Sequence, residues 1–100
     1  MAKRENDFQS KLKKEIESMF PDCLIMKNDA NYLQGIPDLT VLYKDHWAFL
    51  ECKRQTKASH QTNQDYYIDW AKSQGAFSSF IFPENKKEVL NELRKAFGTK

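Results

Sequence analysis

Few residues in this 100-residue chain punctuate the backbone: three glycines and three prolines. No internal repeat and no low-complexity segment is present, which excludes solenoid, collagen-like and linker-type chains. Cysteine is equally scarce. The two present, Cys23 and Cys52, both fall in expected strands and read as small buried side chains of a reducing compartment, not as a disulfide framework or a zinc site. No apolar run is long enough to span a membrane, and the opening MAKREND has no apolar stretch of the kind a secretory leader needs. Charge of one sign is also missing. The net charge is only +2, so bulk charge does not mark a nucleic-acid binder, and any basic surface must be local.

The composition favours a folded globule. Forty per cent of residues are apolar and 13% aromatic, enough for one domain, residues 1–100, with a modest core. Residues 4–20 read as an amphipathic helix, with Phe8, Leu12, Ile16 and Met19/Phe20 at helical spacing and Pro21 ending it. Residues 23–28 form a short apolar strand, followed by a polar loop that ends at Gly35. There Asn28, Asp29, Asn31 and Gln34 either satisfy turns or meet a nucleic-acid backbone, and Tyr32 either packs or stacks on a base. Thr62 or Asn63 caps a helix running to Gln74, where Gly75 stops it. Tyr67, Ala71 and Gln74 line one side of that helix, and Ile68 and Trp70 widen its apolar face. Residues 76–82 make another strand, and Pro83 breaks it. Residues 84–97 form a last helix with Val89, Leu90, Leu93 and Phe97 inward. With the hairpin described next, the order is α-β-β-β-α-β-α. A returning strand after a helical crossover implies an α/β fold with a mixed four-stranded sheet flanked by helices.

The stretch GIPDLTVLYKDHWAFLECK, residues 35–53, organises the rest. Apolar runs on either side of Lys44-Asp45-His46 signal a hairpin. Polar residues interrupt its ends: Asp38 opens the first strand, and Glu51 and Lys53 close the second. With Asp45-His46 as a two-residue loop, Lys44 faces Trp47, Asp38 faces Lys53 and Thr40 faces Glu51. Asp38, Thr40, Leu42, Phe49, Glu51 and Lys53 then share one face, because side chains alternate with a period of 2. Asp38 and Glu51 become diagonal neighbours, roughly 7–8 Å apart. Any even-length loop preserves that shared face. Leu50 and Cys52 point into the core. Gly35 allows a positive φ before the strand, and Pro37 suits its first position.

Two carboxylates at the end of apolar strands need compensation. A divalent cation supplies it: Mg²⁺ takes oxygen ligands, keeps several waters and often uses one or two carboxylates plus substrate phosphate oxygens. Such an ion polarises a phosphodiester and acidifies a bound water. Lys53 then orients or deprotonates that water, or neutralises charge on the phosphate. The plainer alternative is a surface ion pair between Lys53 and either acid. Beyond Lys53, the segment RQTKASHQTNQ gathers Arg54, Lys57 and His60 into the local basic patch, where a phosphate backbone would pass. His60 can serve acid–base chemistry or simply be solvated. His46, in the turn, has no expected role.

Pro37-Asp38 followed by Glu51-Cys52-Lys53 on the next strand resembles the PD-(D/E)xK nuclease superfamily. Gly35-Ile36-Pro37-Asp38-Leu39, with Gln64 and Gly75 downstream, is similar to its VRR-NUC branch, close to Holliday junction resolvases, over about residues 5–82. That resemblance implies a restriction-endonuclease-like core and a Mg²⁺-dependent endodeoxyribonuclease, with Mn²⁺ able to substitute. It implies that Asp38, Glu51 and the Cys52 carbonyl hold the metal and that an acidic residue of the first helix completes the shell. Glu5, in the pattern Glu5-x-x-Phe8-Gln9, matches best; Glu15 and Glu17 are rivals. Gln9 lies one turn on and reaches the same side. Gln64 is the branch's glutamine, aimed at the site or the substrate. Small stand-alone members are typical of phages, so the cytoplasm of a bacterial or phage-infected cell is the expected location. Branched DNA is the expected substrate, and a homodimer cutting two strands symmetrically is expected because a domain this small offers little grip on a junction. Two other classes remain: a DNA-binding module of this fold without the chemistry, and a protein–protein adaptor displaying Tyr66, Tyr67 and Trp70.

Overall fold

The structure is a computed structural model; it describes the backbone of residues 2–53 and 62–98 and the side chains of residues 7–53 and 66–98. The elements are α1 (Ala2–Met19), β1 (Leu24–Lys27), β2 (Leu39–Tyr43), β3 (His46–Cys52), α2 (Thr62–Ser73), β4 (Phe77–Ile81) and α3 (Lys86–Phe97). The sheet order is β1-β2-β3-β4. β1, β2 and β3 run antiparallel, and β4 returns parallel to β3 after α2. This is the α-β-β-β-α-β-α mixed sheet that the apolar periodicities lead one to expect. Among the described residues, no helix is long and apolar enough to cross a membrane.

The two faces of the sheet have different tasks. Leu39, Val41, Ala48, Leu50, Cys52 and Ile81 are buried in one cluster with Leu12, Ile16 and Phe20 of α1 and Val89, Leu90, Leu93 and Phe97 of α3. Both helices therefore cover that face, and each does so through residues three or four apart, the helical stripe. Phe20 links the layers, with its ring 5.1 Å from Tyr43 and 5.1 Å from Phe97. Gly98 ends α3 in the left-handed conformation, at φ 75°. The opposite face carries Asp38, Thr40, Trp47, Phe49, Glu51 and Lys53, and α2 covers its β3–β4 half, where the Ser78 hydroxyl donates to the Ile68 carbonyl at 2.6 Å. Among the described side chains, the inward stripe of α2 holds Ile68 and Ala71, both buried; Gln74, expected beside them, is exposed. The helix ends at Ser73 and Gly75 adopts φ 88°, so Gln74 already belongs to the turn and is carried outward.

The hairpin register differs from the expected one by two residues. Tyr43 pairs with His46, Leu42 with Trp47, Thr40 with Phe49 and Leu39 with Leu50. The turn is thus Lys44-Asp45, with Lys44 at φ 55°, and not Asp45-His46. The reason is tertiary: the His46 ring stacks on Phe97 at 5.4 Å, alongside the Tyr43–Phe97 stack at 6.0 Å. Both residues flanking the turn rest on α3, which draws His46 into the strand. A slip of two keeps every side chain on its face. Cys23, expected within β1, precedes it as a half-buried residue, while Cys52 closes β3 in the core.

Candidate functional site

Continuing the observed register by one residue sets Asp38 directly opposite Glu51. The two acids are therefore neighbours across the hairpin, about 4.5–5.5 Å apart at Cβ, not diagonal partners. Backbone hydrogen bonds lock the arrangement. The Asp38 N–H donates to Glu51 Oε1 at 3.0 Å, and the Cys52 N–H donates to Asp38 Oδ2 at 2.9 Å. Each carboxylate thus accepts from the other strand where the ladder ends, which fixes the orientation of both side chains. Gly35, at φ 84°, and buried Pro37 bring the chain into β2 at this point.

Asn28 braces the site from β1's end. Its side-chain amide donates to the Pro37 carbonyl and to Thr40 Oγ1, both at 2.8 Å, and its N–H donates to the Asp38 carbonyl at 2.8 Å. These bonds span both sides of Asp38. In the sequence Asn28 is one of several loop polar residues; what singles it out is its pairing opposite Asp38, which needs the β1–β2 register. Nothing in the apolar run 76–82 marks Phe80 as part of the site. Phe80 pairs with Glu51 across the parallel β3–β4 ladder, and its ring lies 6.0 Å from the Lys53 ammonium.

The electrostatics are tense. Glu51 is only 3% exposed. Burial, and then the nearby Asp38 charge, push its pKa up from 4.5 to about 7, against the smaller opposing pull of Lys53 and of the Asp38 N–H. Lys53 Nζ stands 3.7 Å from Glu51 Oε2, with its side chain 12% exposed. Two acids and one amine therefore converge on one face, and the conflict between the acids is only partly relieved by the amine. A small divalent cation suits such a donor set: two rigid carboxylates, with waters and a substrate oxygen filling the remaining positions. Among the described residues, no third His, Cys, Asp or Glu joins them to form a metal-holding group.

The other expected site residues fall as follows. The backbone of Glu5 belongs to α1 and that of Gln64 to the first turn of α2, but their side chains lie outside the described residues, as do Arg54, Lys57 and His60 entirely. Gln9 is buried, at 7% exposure, on α1. Glu15 is engaged elsewhere: it accepts from Lys86 of α3 at 2.6 Å. Glu17 lies near Cys23, whose thiol is raised by burial and then by that carboxylate. Neither is near the acid pair, because the face of α1 that carries them looks toward α3 and the start of β1. Tyr66 and Trp70 are exposed, and Tyr67 is half-buried.

Compared with known proteins, the chain matches no family model, and no curated protein or solved structure matches it.

Proposed function

We propose that the protein is a metal-dependent nuclease that hydrolyses phosphodiester bonds in DNA. The observation that carries this reading is the direct opposition of Asp38 and Glu51 with Lys53 on the same face. Mg²⁺, or Mn²⁺ in its place, would supply Lewis-acid polarisation of the phosphate and an acidified water. Asp38 and Glu51 would hold it, with the Cys52 carbonyl and Glu5 as further ligands and Gln64 turned to the substrate. The hydrogen bonds from Asp38 N–H and Cys52 N–H keep both carboxylates in place, so no reorganisation is needed at the moment of reaction. The Lys53 ammonium, held beside Glu51 and the Phe80 ring, would orient the attacking water or offset charge growing on the phosphate. Arg54, Lys57 and His60 follow directly in the chain and would meet the flanking phosphates.

Branched DNA is the proposed substrate, and a homodimer the proposed working form. Support for the dimer comes from the outer strand: β1 is a sheet edge, and its Leu24 and Met26 are 56% and 42% exposed. Light scattering that finds a monomer on cleavable DNA would remove the dimer from the proposal.

The structural alternative, in which the acids only close the ends of the hairpin ladder, gains support from the same backbone hydrogen bonds. Calorimetric titration with Mn²⁺ and cleavage of linear, forked and four-way DNA separate the two. A nuclease binds the ion and loses both binding and cleavage in Asp38→Asn and Glu51→Gln while still binding DNA. A purely structural pair binds no ion and cuts nothing.

A further inference from the structure

Beside the acid pair, on the same face, lies a cleft of about 260 Å³ lined by Leu33, Ile36, Phe49, Tyr66, Tyr67 and Trp70. The Leu33–Ile36 loop forms one wall, α2 the other, and Phe49 lies between them. Phe49 is two residues before Glu51 on β3, hence about 7 Å from it along the strand. Ile36 is two residues before Asp38. The cleft therefore shares two of its three segments of chain, the approach to β2 and the end of β3, with the acids, and α2 supplies the third.

The aromatic wall is braced from behind. Trp70 sits 5.7 Å from Trp47 and 6.4 Å from Phe49, and Trp47 meets Phe49 edge-on at 5.2 Å. Tyr66 meets Tyr67 edge-on at 5.1 Å. Yet Tyr66 remains 60% exposed and Trp70 41%. Large rings held in fixed positions with an open side form a stacking platform. The volume lies just under that of pockets for drug-sized ligands, which suits one heteroaromatic ring system. Its six lining residues are far fewer than the roughly 20–30 residues a side of a stable protein interface.

We infer that this cleft takes a single unstacked nucleobase of the strand whose phosphate lies at Asp38 and Glu51. This rests on the nuclease reading and sharpens it. The spacing from Glu51 to Phe49 suits the reach from a phosphate to a neighbouring base, so one nucleotide can occupy both places. The apolar lining offers stacking and almost no hydrogen-bond readout, so any base is accepted. A base inside a duplex is unavailable without unpairing. Strands with an unpaired nucleotide next to the cut, as at a fork or a branch point, are thereby favoured.

The test is an abasic walk. The cut in a forked DNA of mixed sequence is first mapped with the wild-type protein and Mn²⁺. A tetrahydrofuran abasic analogue then replaces each nucleotide near the cut in turn. One position next to the cleaved bond should lose about tenfold to a hundredfold in cleavage rate, the worth of one stacked base. In Tyr66→Ala and Trp70→Ala the intact fork should be cut more slowly, and the abasic analogue at that position should cost nothing further. Trp70→Phe should retain the dependence. Cleavage that is indifferent to the missing base at every position overturns the cleft assignment and leaves the nuclease reading standing. Absence of cleavage of any DNA overturns both. Conversion of a dimer to a monomer by Tyr66→Ala, with unchanged dependence on the base, assigns the cleft to a second copy of the chain and overturns the inference.

Discussion

Glu51 concentrates the electrostatic cost of the site. Asp38→Asn and Glu51→Gln should each lower cleavage by roughly 10²–10³, the scale on which single charge-stabilising groups act, while the fold persists. Quantified single-turnover rates, with circular dichroism as the control, check this. The metal-free protein should also show the proton on Glu51 in its stability. Its pKa is about 7 when folded and 4.5 ordinarily. The folded state therefore binds that proton more tightly between these values. The contribution is fully present below pH ~4.5 and is lost as pH rises through about 7, a change of about 3 kcal/mol. Urea melts in chelator at pH 5 and pH 8 should show wild type losing stability relative to Glu51→Gln; parallel behaviour of the two would refute it. Added Mg²⁺ at pH 8 should stabilise wild type and not the variant, since only the folded site holds the ion.

Among the elements, β1 and the loop after it carry more of the site than their length suggests. Asn28→Ala removes the two side-chain donors that tie Pro37 and Thr40 on either side of Asp38. It should cost about 1–3 kcal/mol of stability, because two partly buried acceptors lose their partner. It should also weaken Mn²⁺ binding, through a displaced Asp38. Calorimetric titration checks the second effect, and a loss of stability with unchanged ion affinity would show that Asn28 braces the fold and not the site. The hairpin teaches a related point. Its turn contains no glycine, and Lys44 accepts a positive φ of 55°. Local turn chemistry alone would not choose that loop over its neighbour. The stack of Tyr43 and His46 on Phe97 does.

At the scale of the molecule, the sheet separates stability from chemistry. Leu93 lies fully buried in the α1–α3 layer, on the side of the sheet away from the acids. Leu93→Ala should destabilise by about 2–5 kcal/mol through lost burial and a residual cavity. Below its lowered melting temperature, the variant should bind Mn²⁺ as wild type does. Thermal melts and ion titration together test that separation; a large loss of ion affinity in the folded variant would mean the two faces are coupled.

Element order, the inward residues of α1 and α3, and the shared face of Asp38, Glu51 and Lys53 all followed from the amino-acid sequence. Each depends on a period of 3.6 or 2 along the chain, and a two-residue slip leaves a period of 2 intact. Distances across strands did not follow. That Asp38 faces Glu51, that Asn28 braces them, that Phe80 lies under Lys53 and that Glu15 is tied to Lys86 depend on contacts between segments far apart in sequence. The packing of α3 on α1 and on the turn end of the hairpin, the β1–β2 register and the parallel docking of β4 decided these, because register and partner choice are settled by what the folded layers bury together.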